Sequence, residues 1–198
     1  LFNGKSDLVN KKIRVLHNLS FIDDPTRILR AVRFEQRYGF RLEAATLSLL
    51  KKAGKMGMLE RIQPQRIRDE IIRILKEEDP LKPLKRLGEL SGLGFINRNL
   101  SLTRKRLSLL KESKLEIKRF NRIFPGHRRL DNWVIYLMAL LDGQKVPETK
   151  KVLERFVFAG GIEKRVLTYT KLSNKVSRVI NKPRIKLSRV YNLLEPLS

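Results

Sequence analysis

Asp24 and Arg27 stand three residues apart in the string Asp23-Asp24-Pro25-Thr26-Arg27. An acidic residue followed by proline is the arrangement of a helix N-cap and first helical position, so both side chains belong to one opening turn and point the same way. A carboxylate offers only acceptors, and a guanidinium offers only donors in a planar fork. Side by side they suit the hydrogen-bonding edge of a nucleobase. The free N–H groups of that turn also favour anions. The same residues admit a plainer arrangement, in which Asp24 caps the helix, Arg27 pairs with it and the neighbouring arginines are solvated.

The second chemistry on offer is phosphate binding. Arg104, Lys105, Arg106, Lys118, Arg119, Arg128 and Arg129 interleave with Leu102, Leu107, Leu109, Leu110, Leu115 and Ile117, and the bias returns with Lys182 and Arg184. Such a helix packs on one side and offers cations on the other. Phe120, Phe124, Trp133, Phe156 and Phe158 are of a type that stacks on bases, although aromatic residues at this spacing more often fill a core. His17 and His127 are isolated, and Glu77-Glu78-Asp79 before Pro80 reads as a solvated turn. None of these makes a metal-ligand cluster.

The elements that must position these groups are helical. With 100° per residue from Asp24 to Tyr38, Arg27, Arg30, Arg33 and Arg37 fall within an arc of roughly 120°, opposite Ile28, Ala31 and Val32. Gly39 stands where a C-terminal glycine cap belongs. Further helices are expected over Leu42–Lys52, Pro64–Glu77 (with the apolar stripe Ile67, Ile71, Ile74, Leu75), Leu81–Leu90, Leu102–Phe124, the apolar Trp133–Leu141, Pro147–Phe158, Ile162–Leu172 and Ile185–Leu194. Ile13–Leu16 is the one weak strand candidate. The fold class is therefore all-α. Turn residues cluster at Gly92–Asn99 and suggest a boundary there.

The chain has 198 residues with 44 Lys+Arg against 20 Asp+Glu, a formal charge of +24. Charge of one sign costs stability by self-repulsion, and a polyanion that exchanges counterions for Lys and Arg is the partner that offsets it. A hydrophobic fraction of 41% argues against general disorder. No run approaches the roughly 20 apolar residues of a membrane span, and no signal-peptide pattern is present. The absence of cysteine fits a reducing cytoplasm.

Asp7-Leu8, Lys12-Ile13-Arg14, the run from Asp23 to Phe34 and Tyr38-Gly39-Phe40 resemble, in order and spacing, the class II tRNA nucleotidyltransferase and bacterial poly(A) polymerase family. The Asp-Asp-x-x-Arg element is similar to the family's nucleotide-selecting Glu-Asp-x-x-Arg, with Asp23 in place of the usual Glu. The resemblance implies that Asp24 and Arg27, with Asp23 and Arg30 beside them, bind the Watson–Crick edge of incoming CTP or ATP. Arg14, Arg33, Arg66 and Glu70 would support them, with Arg66 and Glu70 bracing the nucleotide-binding helix. It further implies a division into a head-to-neck connection (1–20), a neck (21–95) and a basic body or tail (96–198). Its RNA partner would be a tRNA acceptor arm, an A-form helix recognised by shape and backbone, or another RNA 3′ end.

By the same resemblance, nucleotidyl transfer uses Mg2+ held by an Asp-x-Asp pair, with a glycine-rich loop and an Arg-Arg-Asp element, in a head domain. None of these motifs occurs here. The chain opens at Leu1-Phe2-Asn3-Gly4 and closes just after a helical pattern, so it reads as a piece of a longer enzyme, inactive alone. Two other readings stay open: a helical RNA- or DNA-binding module with no nucleotide pocket, and a basic helical scaffold or ribosome-associated protein.

Overall fold

The computed structural model describes residues 3–126, 131–180, 188 and 192. Among them are ten α-helices, one 3-10 turn (Met58–Arg61) and one two-stranded parallel ladder. The helices are α1 (Gly4–Val9), α2 (Ser20–Asp23), α3 (Thr26–Tyr38), α4 (Ala44–Lys55), α5 (Pro64–Leu75), α6 (Leu81–Leu90), α7 (Arg104–Ile123), α8 (Asn132–Leu141), α9 (Val146–Arg155) and α10 (Gly160–Ile180). The expected helix at Ile185–Leu194 lies outside the described residues except for Ser188 and Asn192, both helical.

α3 is the hub. Its apolar side (Ile28, Leu29, Val32) is fully buried, and it packs against α5 and α6. α5 presents Ile67, Ile71, Ile74 and Leu75, all buried, and touches α8 as well. α8 has almost no polar face because it is enclosed by α5, α7 and α10, which bury Val134, Leu137, Leu140 and Leu141. Each such side chain removed from water contributes about 1.5–3 kcal/mol. The core runs on through Leu93, Phe95, Ile96 and Leu100.

The strand is shorter than expected and starts earlier. Lys12–Ile13 (β1) pairs with Arg41–Leu42 (β2), the amides of Arg41 and Glu43 donating to the Lys11 and Ile13 carbonyls at 2.8 and 3.0 Å. Val15 leaves the ladder because its N–H donates to the Thr46 hydroxyl at 3.1 Å.

α3 closes as Gly39 implied. Gly39 has φ +63°, and the Phe40 N–H returns to the Glu35 carbonyl at 3.0 Å. α9 closes in the same geometry with a valine: Val157 has φ +52°, and the Phe158 N–H returns to Leu153 at 3.1 Å. A β-branched residue is strained there by about 1–2 kcal/mol. Arg68 of α5 holds the turn by donating to the Val157 carbonyl at 2.6 Å. Because Val157 is 51% exposed, its side chain loses little when removed. Val157→Gly should raise the unfolding free energy by about 0.5–1 kcal/mol after glycine's larger unfolded-state entropy is subtracted. Thermal melts would read this as an increase of about 2 °C, and a decrease would show that Val157 is unstrained.

Candidate nucleotide and RNA interface

The loop Asp23-Asp24-Pro25 turns the short α2 into α3, and Pro25 sets the helical φ that starts the first turn. Asp24 Oδ1 accepts from the Thr26 amide at 3.2 Å and from the Thr26 hydroxyl at 2.6 Å. Across from it, the first turn of α5 delivers Arg66, whose Nη2 lies 3.0 Å from each oxygen of Asp24. Burial pushes the Asp24 carboxyl up, but the Thr26 hydroxyl, the Arg66 charge and the Thr26 amide together hold it below the usual carboxylate range. Since the folded-state value is depressed, the stability from this carboxylate is present above the ordinary Asp range and is lost as pH falls through the folded value. Asp24 is thus an anion at neutral pH.

Among the described residues no hydrogen bond or ion pair joins the side chains of Asp24 and Arg27; their backbones are joined, the Arg27 amide donating to the Asp24 carbonyl at 3.0 Å. Arg27 is exposed and makes one long contact, Nη1 to the Ser20 carbonyl at 3.4 Å. One half of the plainer arrangement therefore holds, since Asp24 does cap the first turn, and the other half does not. Oδ1 is bonded three times and Oδ2 once, so Oδ2 keeps an open lone pair on the side chain next to Arg27. Arg30 is exposed. Asp23 is exposed too, 3.8 Å from His17, and Arg14 pairs with Asp7 at 3.1 Å.

Arg33 departs from the expected row of outward guanidinium groups. It is buried, 3.5 Å from Glu70 and 3.3 Å from Glu77, while Arg37 and Arg73 hold the outer oxygens of Glu77 and Glu70 at 3.1 and 2.7 Å. The physical reason is that α5 crosses α3 on that side, so a residue one turn beyond Arg30 meets protein instead of water. Arg66 and Glu70 each reach across to α3, Arg66 to Asp24 and Glu70 to Arg33. The acidic turn after α5 is not solvated as expected: Glu77 joins this network and Asp79 pairs with Lys114 at 2.6 Å. Sequence reasoning also missed Thr26, and the buried Glu35, which takes Arg86 of α6 at 2.8 Å. Both are long-range or side-chain-specific contacts with no periodic signal.

On α7, Arg104, Lys118 and Arg119 are exposed, and Lys105 reaches Asp142 at 3.5 Å while staying largely in solvent. Arg106 is a correction. It is buried and donates to the Ser101 and Asp142 carbonyls, tying the start of α7 to the loop after α8. Arg128, Arg129, Lys182, Arg184 and His127 lie outside the described residues. Of the aromatic residues, Phe156 and Phe158 are core, and Trp133 stacks on Phe158 at 6.4 Å. Phe120 and Phe124 contact each other at 5.1 Å. No helix among the described residues is long and apolar enough to cross a membrane.

Residues 39–100 match the family described as "Probable RNA and SrmB- binding site of polymerase A". The chain is 43% identical over 139 residues to an A-adding tRNA nucleotidyltransferase of Geobacter sulfurreducens, covering 70% of this chain and 16% of that one. It is 32% identical over 200 residues to the A-adding tRNA nucleotidyltransferase of Aquifex aeolicus, covering 99% and 24%. The fold matches the Thermotoga maritima CCA-adding enzyme complexed with tRNA, with TM-score 0.82, 32% identity and coverage of 100% of this chain and 47% of that one. A CCA-adding enzyme in complex with CTP matches with TM-score 0.82, 32% identity and coverage of 100% and 46%. The chain thus spans a quarter or less of those curated relatives and about half of those solved chains.

Proposed function

This chain belongs to the class II tRNA nucleotidyltransferase family, and from that membership we propose that it selects the base of an incoming CTP or ATP and grips the acceptor arm of a tRNA. The observation that carries the reading is the pair at the start of α3: an ionised Asp24 carboxylate with one open acceptor, beside an exposed Arg27 whose guanidinium is not bonded to it. Cytosine and adenine each present an exocyclic amino donor next to an unprotonated ring nitrogen. Guanine and uracil present the reverse order at the same edge. An acceptor beside donors therefore complements the first two bases and leaves unpaired groups against the others. Arg30 and Asp23 flank the pair, and Arg66 and Glu70 stiffen it from α5. The exposed cations of α7 (Arg104, Lys118, Arg119) and of α10 (Lys164, Lys171, Lys175) supply the phosphate contacts.

The division into connection, neck and body belongs to the same reading. The 198-residue chain binds both substrates without joining them. No group of three or more His, Asp or Glu side chains among the described residues could hold a metal ion. No described residue is assigned to Mg2+, and no transfer step is derived through it.

Titration of the isotope-labelled chain with the four nucleoside triphosphates tests base selection. CTP and ATP should shift the amides of the first turn of α3, with GTP and UTP at least about tenfold weaker, since a good base-edge pair discriminates by about 1–3 kcal/mol. Asp24→Asn, whose amide offers either a donor or an acceptor, should reduce that ratio to near one. Equal binding of all four bases by the unmodified chain sinks the reading in favour of an RNA-binding module in which Arg66 simply neutralises Asp24. Labelled ATP incubated with the chain and tRNA should remain unincorporated.

A further inference from the structure

We propose that Thr26 is a positioning residue for base recognition: its hydroxyl and amide capture Asp24 Oδ1, leaving Oδ2 as the single acceptor offered beside Arg27. The inference rests on the base-selection reading above and names a residue that the Asp-x-x-Arg spacing does not single out. Thr26 is 4% exposed, so its hydroxyl does not exchange this bond for water. The 2.6 Å distance from Oγ1 to Oδ1 is that of a charge-assisted O–H···O⁻ bond.

The two carboxylate oxygens would otherwise be equivalent. Arg66 contacts both at 3.0 Å and favours neither, and its own side chain is 52% exposed. Thr26 breaks that symmetry by adding two donors to Oδ1 and none to Oδ2. A carboxylate oxygen accepts about two bonds comfortably, so Oδ1 is saturated and Oδ2 is open. A recognition group must hold its geometry before the ligand arrives, because a side chain free to rotate pays in binding for being ordered. Thr26 pre-orders Asp24 from within its own helix turn.

Thr26→Val keeps the shape and β-branching of the side chain and deletes the hydroxyl, while Thr26→Ser keeps the hydroxyl. Two measurements are made on the whole chain: the ratio of CTP and ATP affinity to UTP and GTP affinity, and the titration of the Asp24 carboxyl followed by carbon-detected NMR without nucleotide. The charged groups near that carboxyl are Arg66 from α5, Arg27 from the first turn of α3 and, along the chain, Asp23 with its partner His17. These are unchanged in both variants. Thr26→Val should lower the selectivity ratio about tenfold, the worth of one hydrogen bond to a charged group, and move the Asp24 titration up toward the ordinary carboxylate range. Thr26→Ser should keep both within about twofold of the original. If valine is not tolerated in the fold, Thr26→Ala makes the same deletion. A chain that discriminates bases and goes on doing so equally as Thr26→Val, with its Asp24 titration moved, overturns this proposal alone. An unmodified chain indifferent to the base overturns base selection and this proposal together.

Discussion

Arg33→Ala should lower the unfolding free energy by about 3 kcal/mol, while Arg30→Ala, three residues earlier on α3, should change it by less than about 0.5. The difference comes from what surrounds each guanidinium. Arg33 and its partners Glu70 and Glu77 have side chains 7%, 6% and 11% exposed. Removing the cation leaves two carboxylates from α5 and the turn after it facing each other with too little water to screen them. Arg73 and Arg37 still hold their outer oxygens, which places the loss at the lower end of the range for breaking a buried pair. Arg30 is exposed, and its loss removes little more than a solvated charge. Urea melts of both variants test the pair of values. Equal small losses would mean that Arg33 is replaceable by water, and equal large losses that Arg30 has a structural partner. A second reading comes from nucleotide titration of the same samples. Arg30→Ala should weaken CTP and ATP without loss of fold, separating a binding arginine from a structural one on a single helix.

That contrast shows where sequence reasoning stops. The helix, its proline start and its glycine stop follow from local chemistry, and so does the stripe of isoleucines on α5. The difference between Arg30 and Arg33 does not, because periodicity places both on the polar side and only the crossing of α5 decides which one water reaches. Arg106 fails for the same reason: its spacing matches the other α7 cations, but the Asp142 carbonyl that takes it comes from 36 residues away. Glu77 and Asp79 read as a turn until Arg33, Arg37 and Lys114 are brought to them. α1 was missed because none of its residues is buried, with Leu8 and Val9 66% and 76% exposed, so it carries no apolar period. Asp24 and Arg27 were legible because a turn of helix is a local object. The partner Arg66 was legible as a motif position, but its bond to Asp24 was not.

The largest effect expected of the chain is on RNA affinity as salt is varied. If the exposed cations of α7 and α10 track an A-form acceptor arm, affinity for a tRNA-like hairpin should fall by about 10³- to 10⁵-fold between 50 and 200 mM salt, the loss associated with about six to ten phosphate contacts. Lys118→Ala and Arg119→Ala should each reduce the slope of log affinity against log salt by about one, because each removes one exposed phosphate partner. Arg106→Ala makes the opposite test. Burial works against its charge, and its donors are occupied by the Ser101 and Asp142 carbonyls. Its replacement should lower the melting temperature by several degrees and leave the slope of the folded protein unchanged. Fluorescence anisotropy at four salt concentrations, run well below each variant's melting point, separates the two outcomes. A slope that Arg106→Ala reduces as much as Lys118→Ala would mean that the guanidinium leaves its carbonyls for RNA. A slope near zero in the unmodified chain would remove phosphate binding as the explanation of the +24 charge.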